Sequence, residues 1–181
     1  KSGTLTRRYL GTFYTTATTT TEDSAAKRFL FNAHNRVRKD LHAVDSSTAT
    51  WTYGTATWRE WNGASTYGTS RVGVMQGLAE ELFYLYCLNM SGDYGIACGI
   101  GIDRNTANDA GGNSGLSAFH DKVSGTAESR IIPSMTALCV VPTLGFHFYA
   151  AVEIAGSGIS ATIYNYVAGG RQCGMDGYFL C

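Results

Sequence analysis

Proline is almost missing from this chain: 2 residues in 181, beside 22 glycines. Glycine without proline suits the tight turns and bulges of all-β domains and disfavours proline-rich linkers. Charge is scarce too, at 15% against about a quarter in ordinary soluble domains. The signs cancel, 14 basic against 14 acidic, so no global field draws nucleic acid or anionic lipid, and neither is an expected partner. No apolar run approaches the ~20 residues that span a bilayer, so no membrane insertion is expected. The histidines (His34, His42, His120, His147) never stand at zinc spacing from one another or from a cysteine, and no C-x-x-C occurs. No metal or cofactor is expected. Nucleophile-elbow and H-E-x-x-H motifs are absent, and Glu80 and Glu81, as strand neighbours, would point to opposite faces. The chain is not expected to be an enzyme.

A surface this poor in charge must be covered by Thr, Ser, Gly, Asn and Tyr, or be hidden by partner chains. The clearest element is Phe146 to Ile154, where Phe146, Phe148, Ala150, Val152 and Ile154 alternate with His147, Tyr149, Ala151 and Glu153. Period-2 alternation of this length predicts a strand with two different neighbours. The mixed face of His147, Tyr149 and Glu153 is expected to meet another subunit. A second strand over 94–102 places Ile96, Cys98, Ile100 and Ile102 on one face and Ala97, Gly99 and Gly101 on the other, so that another backbone or ring can approach closely. Phe29, Phe31 and Ala33 mark one face of a strand over 25–37, with a short helix capped by Glu22-Asp23-Ser24 as the alternative. Residues 71–90 fit strand or helix, and their flanks favour strand. Further strands are expected over 130–141, 159–166 and 175–180, with Gly156-Ser157-Gly158 closing a tight hairpin between the third- and second-last strands. Eight or nine strands, short turns and no long helix predict an all-β sandwich or jelly roll. Residues 1–24, with the Thr-rich run 15–21, read as an arm and first strand, and 25–181 as the main domain.

Trp51, Tyr53, Trp58, Trp61 and Tyr67 form the richest aromatic stretch, with Asn62, Ser65 and Thr66 nearby. Such rings either stack on sugar faces or pack a core or subunit interface, and aromatic burial favours packing. The Asp103–Ser117 loop carries oxygen ligands suited to calcium but misses the EF-hand pattern, so a solvated loop is expected. Five cysteines leave one over. Cys87 and Cys98 read as buried small hydrophobes, while Cys173 and Cys181 flank the last strand as a candidate disulfide.

Arg8-Tyr9-Leu10-Gly11-Thr12-Phe13, Glu22-Asp23-Ser24-Ala25-Ala26-Lys27-Arg28-Phe29 and Asn32 with Asn35-Arg36-Val37 resemble a segment of bacteriophage fibre and virion-surface proteins. Gly145-Phe146-His147 to Glu153, Ala161 to Tyr164, Gly169-Gly170 and Gly174 to Tyr178 resemble the ending of such domains. These domains are similar to trimeric jelly rolls of the C1q and tumour-necrosis-factor type. The resemblance implies a homotrimeric jelly roll on a virion: a fibre, spike or decoration protein that contacts capsid or tail proteins and, in host attachment, a surface glycan. It covers roughly the first and last 40 residues and carries no catalytic motif. The Cys173 and Cys181 pair departs from it. The competing expectation is a secreted glycan-binding lectin or C1q/TNF-like ligand, for which an odd cysteine count is awkward.

Overall fold

The alternating 146–154 segment becomes the longest strand, β12 (Gly145–Ala155), at the heart of one of two packed sheets. The chain's computed structural model describes residues 8–46, 50–80, 82–91, 96–109, 132–141, 143–158, 160–165 and 173–181. His120, Glu81, Arg130-Ile131 and the 110–117 part of the long loop lie outside them. In chain order the other strands are β1 (Gly11–Phe13), β2 (Asp23–Ser24), β3 (Lys27–Arg28), β4 (Leu30–Asn32), β5 (Arg38–Val44), β6 (Thr50–Tyr53) and β7 (Arg59–Glu60). After a 3₁₀ turn at Trp61–Gly63 come β8 (Arg71–Gln76), β9 (Phe83–Ser91), β10 (Ile96–Ile102), β11 (Ile132–Val140), β13 (Ala161–Tyr164) and β14 (Gly174–Leu180). The described residues contain no α-helix, so 71–90 resolves into two strands.

Sheet one runs β10-β12-β8-β3-β2, with β7 beside the far half of β12. Sheet two runs β5-β14-β9-β13-β6, with β11 along the other side of β9. β1 and β4 make a separate ribbon. Pairing is antiparallel throughout except between β3 and β8. The period-2 pleat sends every second residue inward. Val72, Val74, Tyr149, Ala151, Cys98 and Ile100 of sheet one thus meet Leu41, Phe83, Leu85, Cys87, Leu138, Ile163, Met175 and Phe179 of sheet two. At the centre the Phe83 and Tyr149 rings stack with centroids 4.2 Å apart. Each such ring contributes about 1.5–3 kcal/mol by leaving water.

The outer face of sheet one is covered by the chain itself. Tyr14 stacks on Phe146 at 4.3 Å, and Phe29 meets Phe146 and Tyr67 edge-on. Gly73 beneath them leaves room for the Phe29 and Tyr67 rings. The described part of the arm is therefore packed on the main domain. Its Thr-rich run turns back on itself, with Thr16 N–H donating to Thr20 O at 2.9 Å. On β10 the expected close approach is present: a Cβ at Gly101 would collide with the Arg104 carbonyl, and one at Gly99 with the Asn108 side chain. The 103–109 loop folds back over this strand. Asn108 Oδ1 accepts from Ile100 N–H at 3.0 Å and Asp109 Oδ2 from Ile102 N–H at 2.8 Å, which blocks the strand's free edge.

Three expectations are corrected. Gly156-Ser157-Gly158 closes no hairpin: β12 belongs to sheet one and β13 to sheet two, so the turn carries the chain across the sandwich. The 25–37 segment is broken into β3 and β4 rather than forming one strand, and Phe29 and Phe31 are buried. Two of the three residues of the mixed face of β12, Tyr149 and Glu153, are not available to a subunit interface, whereas His147 is half-buried at the strand's surface end. Tyr149 and Glu153 are 1% and 0% exposed within the single chain, because that face is the inside of the sandwich.

Candidate functional site

The strand pairing β12–β7 places Glu153 opposite Arg59 and Val152 opposite Glu60, and from this the aromatic stretch acquires its structure. Glu153 lies inside. One carboxylate oxygen accepts from Trp51 Nε1–H at 2.9 Å, the other from Arg59 Nε–H at 2.9 Å and from the Asn62 backbone N–H at 3.2 Å. Arg59 reaches in from the rim and lies 3.8 Å over the Tyr53 ring. Burial raises the Glu153 carboxyl above the usual range, against the pull of Trp51, Arg59 and the Asn62 amide. Asn62 holds this place in a left-handed conformation, φ 53°. Glu60 is also buried. It takes both arms of the Arg71 guanidinium, Ser65 Oγ at 2.6 Å and Asn105 Nδ2 at 3.3 Å. Both carboxylates are saturated by donors of the chain itself, which makes them braces between strands.

The five aromatics read together are thereby divided. Trp51, Tyr53 and Trp61 join the main core, and Trp61 Nε1–H donates to Val152 O at 3.2 Å. Tyr67 belongs to the Phe29 and Phe146 cluster on the other side of sheet one, and Trp58 is half-buried. No open aromatic platform for a sugar survives among them. The packing interpretation of the stretch holds.

His147 remains near the surface end of β12. Its Nδ1 lies 2.7 Å from Asp103 Oδ2, and its Nε2 lies 3.1 Å from Thr143 O. Asp103 stands at φ 54°, a conformation that aspartate adopts more readily than most residues. Its other oxygen accepts from Phe148 N–H at 2.9 Å. The described oxygen ligands of the 103–117 loop are thus engaged by the protein. Among the described residues no three His, Cys, Asp or Glu side chains converge as a metal cluster.

Cys173 and Cys181 are thiols, as are the other three cysteines. The disulfide is overturned by geometry. The two flank β14, whose seven residues at about 3.3 Å each hold their Cα atoms some 25 Å apart, while a bridge needs less than about 7 Å. Burial pushes the Cys181 thiol up to about 11.

The surface that sequence reasoning missed is the outer face of sheet two. In register across β5, β14, β9 and β11 stand Asp40, Tyr178, Tyr84 and Cys139; in the next row, His42, Asp176, Tyr86 and Ala137. Tyr84 stacks on Tyr178 at 5.1 Å, and Arg38 lies 4.2 Å over Tyr178. His42 Nδ1 pairs with Asp176 Oδ1 at 2.6 Å, and the Tyr86 phenol bonds the same carboxylate. Tyr86 and Met135 are 46% and 49% exposed, with Leu88 beside them. An open groove of about 480 Å³ runs between Arg38, His42, Tyr86, Asp176 and Tyr178. No other described segment covers this face, in contrast to sheet one. The signal was present in the alternation Tyr84-Leu85-Tyr86-Cys87-Leu88.

Tyr149 supplies a pH test of the core. Burial, and then the Asp103 charge, hold its phenol well above 10 in the folded chain. In the unfolded chain it ionises near the ordinary value of about 10. Above that pH the unfolded state loses a proton that the folded state keeps, so stability falls as pH rises. Denaturation midpoints measured from pH 8 to 11 are expected to drop, and to drop less steeply in Tyr149→Phe.

No family model, curated protein or solved structure matches this chain.

Proposed function

We propose that the chain is a virion structural protein, a fibre, spike or decoration protein, whose jelly-roll domain assembles as a homotrimer on the particle surface. The observation that carries this reading is the order of strand pairing. β5–β14–β9–β11 in one sheet and β8–β12–β10 in the other pair the first long strand with the last, and from β8 to β13 the described strands alternate between the sheets. This order supports the jelly-roll reading, whose Greek-key wrapping pairs strands in such a way. The open face of sheet two supports the trimer. It grades from Arg38, Asp40 and His42 at the β5 edge to Tyr84, Tyr86, Leu88 and Met135 at β9 and β11, a polar side giving way to an apolar one. A second copy of the same chain is the occupant, so the interface moves from β12 to this face.

The two ends of the sandwich differ, which supports attachment at one of them. Where β5, β9 and β12 begin and β8, β11 and β14 end, the chain exposes Leu10, Leu30, Val37, Leu82, Val141 and Leu144. The opposite end, around Gly54–Thr57 and Gly156–Ser157, is exposed or half-buried and carries small and hydroxylic residues. The apolar end seats on a capsid or tail protein, and the polar end faces outward towards the host. The lectin alternative loses its aromatic platform with the burial of Trp51, Tyr53 and Trp61.

Light scattering after gel filtration tests the reading. A mass three times that of the chain, unchanged on dilution to the micromolar range, is expected. A stable monomer would overturn it.

A further inference from the structure

We propose that Cys87 and Cys98 form a latent crosslink between the two sheets, one that closes to a disulfide when the chain folds in an oxidising medium and stays open when it folds in a reducing one. Cys87 projects inward from β9 of sheet two and Cys98 inward from β10 of sheet one. Their side chains touch across the core. Cys87 Sγ lies 3.4 Å from Gly99 O, and Cys98 Sγ lies 4.0 Å from Cys87 O. Each sulfur therefore sits against the backbone of the other's strand, and the two thiols are in side-chain contact, the arrangement from which a bridge would form. Thr136 of β11, the register partner of Cys87, donates its hydroxyl to Cys98 O at 2.6 Å and fixes the approach. The other described cysteines have no such partner strand: Cys173 and Cys181 stand at opposite ends of β14, and Cys139 lies on the outer face.

The chemistry requires an oxidant, which we assign to a small disulfide of the glutathione class. The thiolate of one cysteine attacks a sulfur of that disulfide, and one small thiolate leaves. The second cysteine's thiolate then attacks the mixed disulfide and expels the protein-free half as a second thiolate. The two cysteines lose two electrons and two protons, and the small disulfide is reduced to two thiols. In the folded chain this route is shut. Both residues are buried, at 0% and 1% exposure, and burial holds the Cys87 thiol far above the range in which thiolate forms. The bond is made before the sheets close or not at all, so its presence records the medium in which the chain folded.

The test is to unfold the reduced chain and refold it in parallel with oxidised and with reduced glutathione, then digest without reductant and weigh the peptides. A Cys87–Cys98 linked peptide, lighter by two hydrogens than the separate thiols, is expected in the oxidised arm alone. It should be lost in Cys87→Ala, a substitution of similar small apolar character. The already folded, reduced protein should remain unbridged over the time in which the refolding chain is bridged. If refolding yields are low, the same peptide is sought in the chain produced in an oxidising periplasm and in a reducing cytoplasm. Five free thiols in the oxidised arm, or bridges at other cysteines, would overturn the proposal. Equal bridging of the folded protein would overturn the claim that folding sets the state.

Discussion

Glu153→Ala is expected to lower stability by about 3–5 kcal/mol, the summed cost of unpairing donors held inside and of the cavity left behind. The reason lies in what remains. Trp51 Nε1–H and the Asn62 amide lose their acceptor, and the Arg59 guanidinium, drawn over Tyr53 to reach the carboxylate, loses its counter-charge. An unpaired buried donor costs about 1–3 kcal/mol by itself. For a chain of this length the midpoint of thermal unfolding should fall by roughly 10 °C, at about 2–4 °C per kcal/mol. Arg59→Ala should also destabilise, by stranding the carboxylate, and the double variant should lose less than the sum of the two. Glu153→Gln keeps an acceptor for Trp51 but turns an amide N–H₂ towards Arg59 or Asn62, so an intermediate loss is expected. If Glu153→Ala unfolds close to the parent, the brace contributes little and β7 is held by the Glu60–Arg71 pair and Trp61.

The same glutamate shows how far residue patterns carry. Alternation over 146–154 identified β12 and separated its two faces correctly, because pleat geometry is local. Which face was inside could not be read from it. Tyr149, His147 and Glu153 look like surface residues until Arg59, from a segment 94 positions away, arrives to neutralise the carboxylate. The Gly99 and Gly101 face was legible for the opposite reason. A missing Cβ is a demand for close approach wherever the approaching segment comes from, and here it is the adjoining 103–109 loop. Gly156-Ser157-Gly158 has the composition of a hairpin turn, but the choice between pairing with the preceding strand and crossing to the other sheet is made by the partners of β13, namely β6 and β9. Trp51 and Tyr67 are sixteen positions apart and fall on opposite sides of sheet one's layer, so nearness in sequence overstated their cluster. The face of sheet two was hidden by a similar ambiguity. In Tyr84-Leu85-Tyr86-Cys87-Leu88 both alternating sets are apolar enough to be core, and only the packing of Phe83, Leu85 and Cys87 against sheet one sends the tyrosines outward.

Those outward tyrosines set the test with the largest consequence for assembly. Tyr86→Lys combined with Met135→Lys is expected to convert the proposed trimer to a monomer while leaving the fold intact. Both side chains are about half exposed in the single chain, so a lysine at either can extend into water without disturbing the core. In the proposed assembly the same positions lie on the apolar side of the face, where a tyrosine anchor contributes about 2 kcal/mol or more and a buried, unpaired ammonium adds a penalty of its own. At about 1.4 kcal/mol per tenfold, each interface weakens by at least about thirtyfold, and a closed ring carries the loss at all three contacts. Thr18→Lys, in the exposed Thr-rich turn, adds the same charge away from sheet two and should leave the mass unchanged. Circular dichroism and the unfolding midpoint at matched concentration separate loss of assembly from loss of fold. A parent trimer that persists in the double variant would place the contact elsewhere on the chain, with the apolar end around Leu82, Val141 and Leu144 as the next surface to charge. A folded monomer obtained from a trimeric parent would identify sheet two as the face on which three copies close.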